Sequence, residues 1–319
     1  MGLSIDASRP ARFRQAVIFC CDETYLPYAL FAAHQIAAHH PDRTFDLCLC
    51  STRPLAIPAT LQNLDLRCCV IPLDELASGV EGDARRSLAA YLRIVLPEVF
   101  AKDYQRILYL DSDISVRRAG LDRLLQIDLG TAPIAAVRDN SQWRTPTRPA
   151  GDLAHLGLPQ GAYFNSGVIL FDTRNCDRYR LVDKALDLGR RFGTQLKRND
   201  QTLLNGILHG NWAEISPTWN WQFTWASRLF APYADPHIVH FIGPRKPWND
   251  CTGDFPPIFA RELDDFLARY IPARQTSGQR SHLAPNHPLM RKMLVKQFLS
   301  GRALARYLAR FPSDMTVIR

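Results

Sequence analysis

The sequence predicts an α/β fold, with one mostly parallel sheet flanked by helices and a helical C-terminal tail. Three observations carry this. Short, uniformly apolar runs alternate with stretches of helical spacing, as in strands buried on both faces. Two of the runs break off at acidic residues, which places polar groups at strand ends, where open α/β sheets hold their ligands. The net positive charge is confined to the end of the chain.

Ala16–Cys21 is a continuous apolar run followed by Asp22-Glu23-Thr24, and reads as a buried strand, a loop and then a helix over Pro27–His40. Phe45–Cys50 and Arg67–Ile71 are the next two strands. Leu88–Phe100 has helical spacing that Pro97 interrupts. Ile107–Leu110 is a strand that stops at Asp111-Ser112-Asp113. Ile134–Val137 and Gly167–Phe171 are further strands, and Asp139–Gln160 between them is a long, polar, proline-bearing loop of the functional kind. Asn199–His209 begins a helix with Asp200 in its first turn, and Trp212–Trp225 is rich in aromatics. Gln275–Pro288 reads as a linker. Leu289–Phe311 plots as an amphipathic helix, with Met290, Leu294, Phe298, Leu304, Leu308 and Phe311 on one side and Arg302, Arg306 and Arg310 opposite.

A hydrophobic content of 46% and a charged content of 22% exclude a disordered or fibrous chain. The net charge of +8 is unevenly placed. Residues 272–319 hold nine Lys/Arg and one Asp, which leaves 30 basic and 30 acidic residues of the chain's 39 and 31 for the rest. A neutral body offers no basic patch for nucleic acid, so none is expected as a partner. The eight cysteines lack C-x₂-C spacing and sit mostly in apolar runs, so they read as buried thiols rather than zinc ligands. No leader-like N-terminus and no apolar run of about 18 residues is present. There is no Walker loop, H-E-x-x-H or G-x-S-x-G motif. A cytoplasmic protein is expected.

Asp111 and Asp113 at i, i+2 on an extended backbone face the same way, about 6–7 Å apart at their Cα atoms. Such a pair at a buried strand's tip is a cradle for a hard divalent cation, and the cation in turn clamps a diphosphate. Two solvated acids at a strand end are the plain alternative.

Six segments in order give this chain a resemblance to glycosyltransferase family 8, over roughly residues 15–250. They are Val17-Ile18-Phe19-Cys20-Cys21-Asp22-Glu23-Thr24-Tyr25, Tyr91-Leu92-Arg93, Leu108-Tyr109-Leu110-Asp111-Ser112-Asp113, Tyr163-Phe164-Asn165-Ser166-Gly167-Val168, Asn199-Asp200-Gln201-Thr202-Leu203-Leu204-Asn205, and His240-Phe241-Ile242-Gly243-Pro244-Arg245-Lys246-Pro247-Trp248. The resemblance implies a GT-A type fold with a single Rossmann-like sheet. It implies a retaining transfer of galactose or glucose from a UDP-sugar to a glycan, such as lipopolysaccharide core or another lipid-linked saccharide.

Residue by residue, it implies that Asp111, Asp113 and His240 hold Mn²⁺, with Mg²⁺ as the alternative. Asp22, Thr24, Tyr25, Arg93, Ser112, Gly243 and Lys246 join the two aspartates around the nucleotide-sugar. Tyr25 would stack on uracil, Gly243 would let the backbone approach a phosphate, and Lys246 would supply charge to it. Asn165, Asp200 and Gln201 surround the donor sugar as the catalytic set, with Gln201 opposite the leaving group. Thr24 departs from the Asn that some relatives carry. Residues 1–270 would form the catalytic domain, with a nucleotide half near 15–115 and an acceptor half near 116–250.

Two other functions keep a place: a haloacid-dehalogenase-like phosphatase using the D-x-D strand tip, and a UDP-sugar-binding protein without turnover. Residues 271–319 read as a linker and a basic tail. Either the tail packs on the body or a partner subunit, or it lies on an anionic membrane at the inner face of the cytoplasmic membrane, which the linker and the neutral body favour. On the second reading, removing residues 289–319 releases the protein from vesicles and spares its activity.

Overall fold

Ala16, Val17, Ile18 and Phe19 are fully buried because helices cover both faces of the strand that carries them. The computed structural model describes residues 5–72, 89–192, 199–250, 253–274 and 288–319; Cys251 and all but the last residue of the expected linker Gln275–Pro288 lie outside these. The strands are β1 Asp6–Ala7, β2 Gln15–Cys20, β3 Asp46–Ser51, β4 Arg67–Val70, β5 Arg106–Leu110, β6 Ile114–Val116, β7 Ile134–Arg138, β8 Phe164–Asp172, β9 Ala213–Ile215, β10 Trp221–Gln222, β11 Ile238–His240 and β12 Val317–Ile318. The longer helices are α1 Leu26–His39, α2 Ala89–Val99, α3 Leu181–Phe192, α4 Asn199–Ile207, α5 Pro257–Tyr270 and α6 Pro288–Leu308.

Nine strands form one sheet in the order β1-β4-β3-β2-β5-β8-β7-β9-β12, and β10-β11-β6 form a small second sheet. In the large sheet β2 to β5, β7 and β9 run one way, and β1, β8 and β12 the other. α1 and α5 pack on one face, where Leu30, Phe31 and Phe266 meet the sheet. α2, α3 and α4 pack on the other through Leu92, Val95, Leu181 and Leu203. Pro97, expected to interrupt its helix, is accommodated in the last turn of α2. Of the cysteines, Cys20, Cys21, Cys48, Cys50, Cys69 and Cys176 are buried and unbridged, as the apolar runs around them predict.

Register delivers the polar residues to one edge. Phe19 pairs with Leu110 in parallel, so Asp22 and Asp111 leave the sheet on the same side. Leu110 pairs with Val168 of antiparallel β8, which brings Asn165, Ser166 and Gly167 there from the opposite direction. In the second sheet His240 pairs with Ile114, so the imidazole lands beside Asp113. Strands of two or three residues leave no periodicity to read, and β6, β10 and β11 were therefore not expected from the sequence.

The tail departs from the expected stripe. Met293, Gln297, Leu304, Tyr307 and Phe311 face inward, and Gly301 lies against Phe230. Leu294 and Phe298, which the apolar stripe groups with Leu304 and Phe311, are instead exposed, together with Val295 and Leu299. In the first half of the helix the seam is rotated by one residue because Gln297, a polar residue off the apolar stripe, donates Nε2 to the carbonyls of Trp225 and Ala226 at 2.8 and 2.6 Å. Arg310, placed opposite the apolar side by the sequence, pairs with Glu214 at 2.9 Å, and the Tyr307 hydroxyl donates to the same carboxylate at 2.9 Å. β12 then pairs with β9. Removing 289–319 therefore strips out core and a sheet strand, so the truncation expected to spare activity would not do so.

Candidate active site

Asp111 is held by its surroundings before any ligand is considered. Its backbone N–H donates to the Gly167 carbonyl at 2.8 Å, and its Oδ1 accepts from the Tyr109 hydroxyl at 2.5 Å and from Arg93 at 2.9 Å. Its Oδ2 lies 3.6 Å from His240 Nε2, while Asp113 Oδ1 lies 3.2 Å from that same nitrogen. One ligand atom from each of Asp111, Asp113 and His240 falls within 4.8 Å of the others, the one such group among the described residues.

Two carboxylate oxygens and an imidazole nitrogen converging at that distance fit a divalent cation of intermediate hardness. The second imidazole nitrogen of His240 is bonded to Asn220 Oδ1 at 3.0 Å, which is the outer support that a ligating histidine requires. Burial opposes the charge on Asp113, but His240 and Lys246 outweigh it and hold its carboxyl below the ordinary range.

Arg93 links this group to the donor-sugar candidates. Its guanidinium is buried, bonded to Asp111 on one side and to Asp200 at 3.3 Å on the other. It also donates to the Ser166 carbonyl at 3.0 Å and lies over the Tyr109 ring, 4.5 Å from its centre. Burial works against its charge, yet Asp111 and Asp200 more than offset that and raise its pKa. Asp200 also accepts from Ser166 Oγ at 3.2 Å. Gln201 Oε1 accepts from Asn165 Nδ2 and from the Ser166 backbone N–H, both at 3.2 Å.

The remaining expected residues surround the same edge. Asp22 Oδ1 accepts from the backbone N–H groups of Thr24 and Tyr25 at 3.0 and 3.1 Å, which shapes the turn into α1. Thr24 and Tyr25 are exposed. The Tyr25 ring meets Tyr28 edge-on, and Tyr28 stacks on Trp248 at 4.1 Å. Ser112 is buried. Lys246 is turned onto Asp113 and donates to the Phe241 carbonyl at 2.5 Å. Gly243 has φ +86° and open space where a Cβ would stand. Its glycine is thus set by the left-handed backbone, with no close neighbour to exclude a side chain.

Two features escaped the sequence. In the sequence Gly167 is only one member of a motif, yet a Cβ there would lie 2.1 Å from His240 Cε1 and 2.8 Å from Asp111 Oδ2. Asn220 lies among aromatics in a stretch without periodicity; only the pairing of β10 with β11 gives it meaning.

The sequence model described as glycosyl transferase family 8 matches residues 16–252. The chain is 29% identical over 180 residues to general stress protein A of Bacillus subtilis, covering 51% of this chain and 60% of that one. It is 27% identical over 192 residues to the lipopolysaccharide glucosyltransferase WaaO of Escherichia coli, covering 56% of each. It is 26% identical over 208 residues to the lipopolysaccharide 1,3-galactosyltransferase of Salmonella typhimurium, covering 63% and 58%. The matched segments thus span 56–60% of the length of these curated relatives. The solved structure of the galactosyltransferase LgtC with donor and acceptor sugar analogues superposes with a TM-score of 0.62 at 23% identity, covering 80% of this chain and 96% of that one. That likeness establishes the GT-A type fold.

Proposed function

Because the chain belongs to glycosyl transferase family 8, we propose that it is a retaining hexosyltransferase that moves galactose or glucose from a UDP-sugar to a glycan acceptor. Lipopolysaccharide core or another lipid-linked saccharide is the acceptor class that its named relatives suggest. The observation that carries the reading is the union, through Arg93, of the Asp111–Asp113–His240 group with Asp200 and its neighbours Asn165 and Gln201. Family membership removes the phosphatase alternative, whose D-x-D belongs to another fold.

In this reading Asp111, Asp113 and His240 hold Mn²⁺. When bound, the ion supplies Lewis-acid charge to the diphosphate that leaves. Asp22, Tyr25 and Thr24 lie at the mouth, where uracil would rest, and Lys246 can exchange Asp113 for a phosphate oxygen. Asp200 accepts from sugar hydroxyls. Both acceptor positions of the Gln201 amide oxygen are already taken, which argues against its use as a nucleophile. The acceptor hydroxyl would then attack from the face that the diphosphate leaves. Its oxygen bonds the anomeric carbon, the bond to UDP breaks, and its proton passes to the departing phosphate oxygen. A glycosyl adduct trapped on Gln201 or Asp200 would overturn this order.

The nucleotide half falls in 15–115 and the acceptor half in 116–250, with loop 139–160 shaping the acceptor pocket. UDP release from UDP-galactose, UDP-glucose and UDP-N-acetylglucosamine, measured with Mn²⁺ and with chelator, tests the activity. One hexose donor should be consumed, and chelator should abolish the signal. Protein that binds UDP and Mn²⁺ but consumes none of them, with lipopolysaccharide core present, would be a binding protein instead.

No helix among the described residues is long and apolar enough to cross a membrane. The first half of α6 instead presents Leu294, Val295, Phe298 and Leu299 outward among exposed Arg291, Lys292 and Lys296. We assign this face to an anionic bilayer at the cytoplasmic membrane, drawn by charge and held by apolar insertion. Each large apolar side chain taken from water contributes about 1.5–3 kcal/mol. Phe298→Ser with Leu299→Ser should therefore lose more than about tenfold in affinity for anionic vesicles while melting like the parent. Unchanged vesicle binding in sedimentation would sink the assignment.

A further inference from the structure

We propose that Asn220 is a positioning residue that ties the cation-holding side chains to the donor-sugar side chains through one directed chain of amides. This rests on the reading above of Asp111, Asp113 and His240 as cation ligands and of Asn165 and Gln201 as neighbours of the sugar.

Asn220 has no exposed surface and stands between buried Trp219 and Trp221. A buried amide has no water to fall back on, so both of its polar atoms need protein partners. They have them. Oδ1 lies 3.0 Å from His240 Nδ1, and Nδ2 lies 2.9 Å from Asn165 Oδ1.

The direction of these bonds is set by two backbone groups that cannot turn round. The Gly167 N–H donates to Asn165 Oδ1 at 3.1 Å, so that atom is an oxygen. The Asn220 atom facing it must then be the amino group, and the one facing His240 must be the carbonyl oxygen. It follows that His240 carries a proton on Nδ1, which leaves Nε2, the nitrogen that faces Asp111 and Asp113, as the atom that would meet a cation. The Ser166 N–H likewise fixes Gln201 Oε1 as an acceptor, and so fixes Asn165 Nδ2 as its donor. The remaining end of Gln201, Nε2, points to Asp139 Oδ2 at 3.5 Å, the longest link.

The chain therefore runs in one sense from His240 through Asn220, Asn165 and Gln201 to Asp139. Each donation polarises the next amide in the same direction. Asn220 is the single member that touches both a cation ligand and a sugar-side residue, so loss of its amino group and loss of its carbonyl should have separable effects.

Two full-length variants make the separation. Asn220→Asp keeps an oxygen for His240 Nδ1–H but sets an acceptor against Asn165 Oδ1. Asn220→Leu removes both partners at similar volume. Mn²⁺ affinity is read from the paramagnetic resonance of free Mn²⁺, and UDP release is read at saturating Mn²⁺. Asn220→Asp should bind Mn²⁺ within about threefold of the parent, or tighter, and lose at least about tenfold in UDP release. Asn220→Leu should lose about 10–100-fold in Mn²⁺ affinity as well.

Equal loss of Mn²⁺ affinity in both variants, or parental UDP release by Asn220→Asp, overturns the proposal. If Asn220→Leu does not fold, Asn220→Asp decides alone. A parent that binds Mn²⁺ but consumes no UDP-hexose overturns the proposed donor and leaves the comparison of Mn²⁺ affinities to decide the role of Asn220. A parent that binds no Mn²⁺ overturns both.

Discussion

Replacing Arg93 with methionine should cost the protein about 3–5 kcal/mol of stability and at least about a hundredfold in turnover. The guanidinium is buried between Asp111 at 2.9 Å and Asp200 at 3.3 Å. Methionine fills much of the volume but leaves two carboxylates facing one another without a cation, and the larger cost is that of the charge left behind. The turnover loss has a separate origin. Arg93 holds Asp111 on the cation side and Asp200 on the sugar side, and a displacement of about 1 Å in either is enough for the stated loss. Arg93→Lys retains the charge without the planar fork, so it should recover stability better than turnover. Urea unfolding and initial rates of UDP release measure the two effects. Parental stability in Arg93→Met would mean that the two acids are neutralised by some other group.

The second large effect is expected from a single methyl group. Gly167→Ala places a Cβ 2.1 Å from His240 Cε1, 2.7 Å from His240 Nδ1 and 2.8 Å from Asp111 Oδ2. Real carbon contacts do not close to such distances, so the imidazole and the carboxylate must both move. His240 cannot swing freely, because Asn220 holds its Nδ1 and β11 holds its backbone between β10 and β6. The expected result is a fall of about 10–100-fold in Mn²⁺ affinity, with an overpacking cost of about 1–3 kcal/mol in stability. Titration calorimetry with Mn²⁺ reads the first directly. Parental affinity would show that His240 lies outside the coordination sphere.

How much of this was legible in the sequence depends on where the information resides. The strand that ends in Asp111 and Asp113 announced itself, because a fully buried strand must be apolar until it leaves the sheet. The same holds for Ala16–Phe19 ahead of Asp22. His240 was legible only through the signature around it; alone, a histidine on a three-residue strand carries no periodicity. Asn220 was not legible, since its role is created by partners 20 and 55 residues away. In the tail the helix was legible and its orientation was not. Counting apolar residues put Leu294 and Phe298 on one side with Leu304 and Phe311, whereas two backbone carbonyls at Trp225 and Ala226 drew Gln297 into the seam instead. A hydropathy pattern has no term for a polar side chain that is buried because it is bonded.

Glu214 has a consequence for how the chain is made. Its buried carboxylate is shared by Arg138, Tyr307 and Arg310, and the last two lie 93 and 96 residues downstream. On a ribosome adding about 5–20 residues per second, Glu214 emerges roughly 5–20 s before they do. During that interval Arg138 alone must neutralise it, and the edge of β9 that β12 later covers lies bare. The nascent chain thus passes through a stage with an open strand edge beside a half-satisfied acid. That is the stage at which a chaperone would have most to bind, and at which slower synthesis of residues 215–310 would favour aggregation over folding.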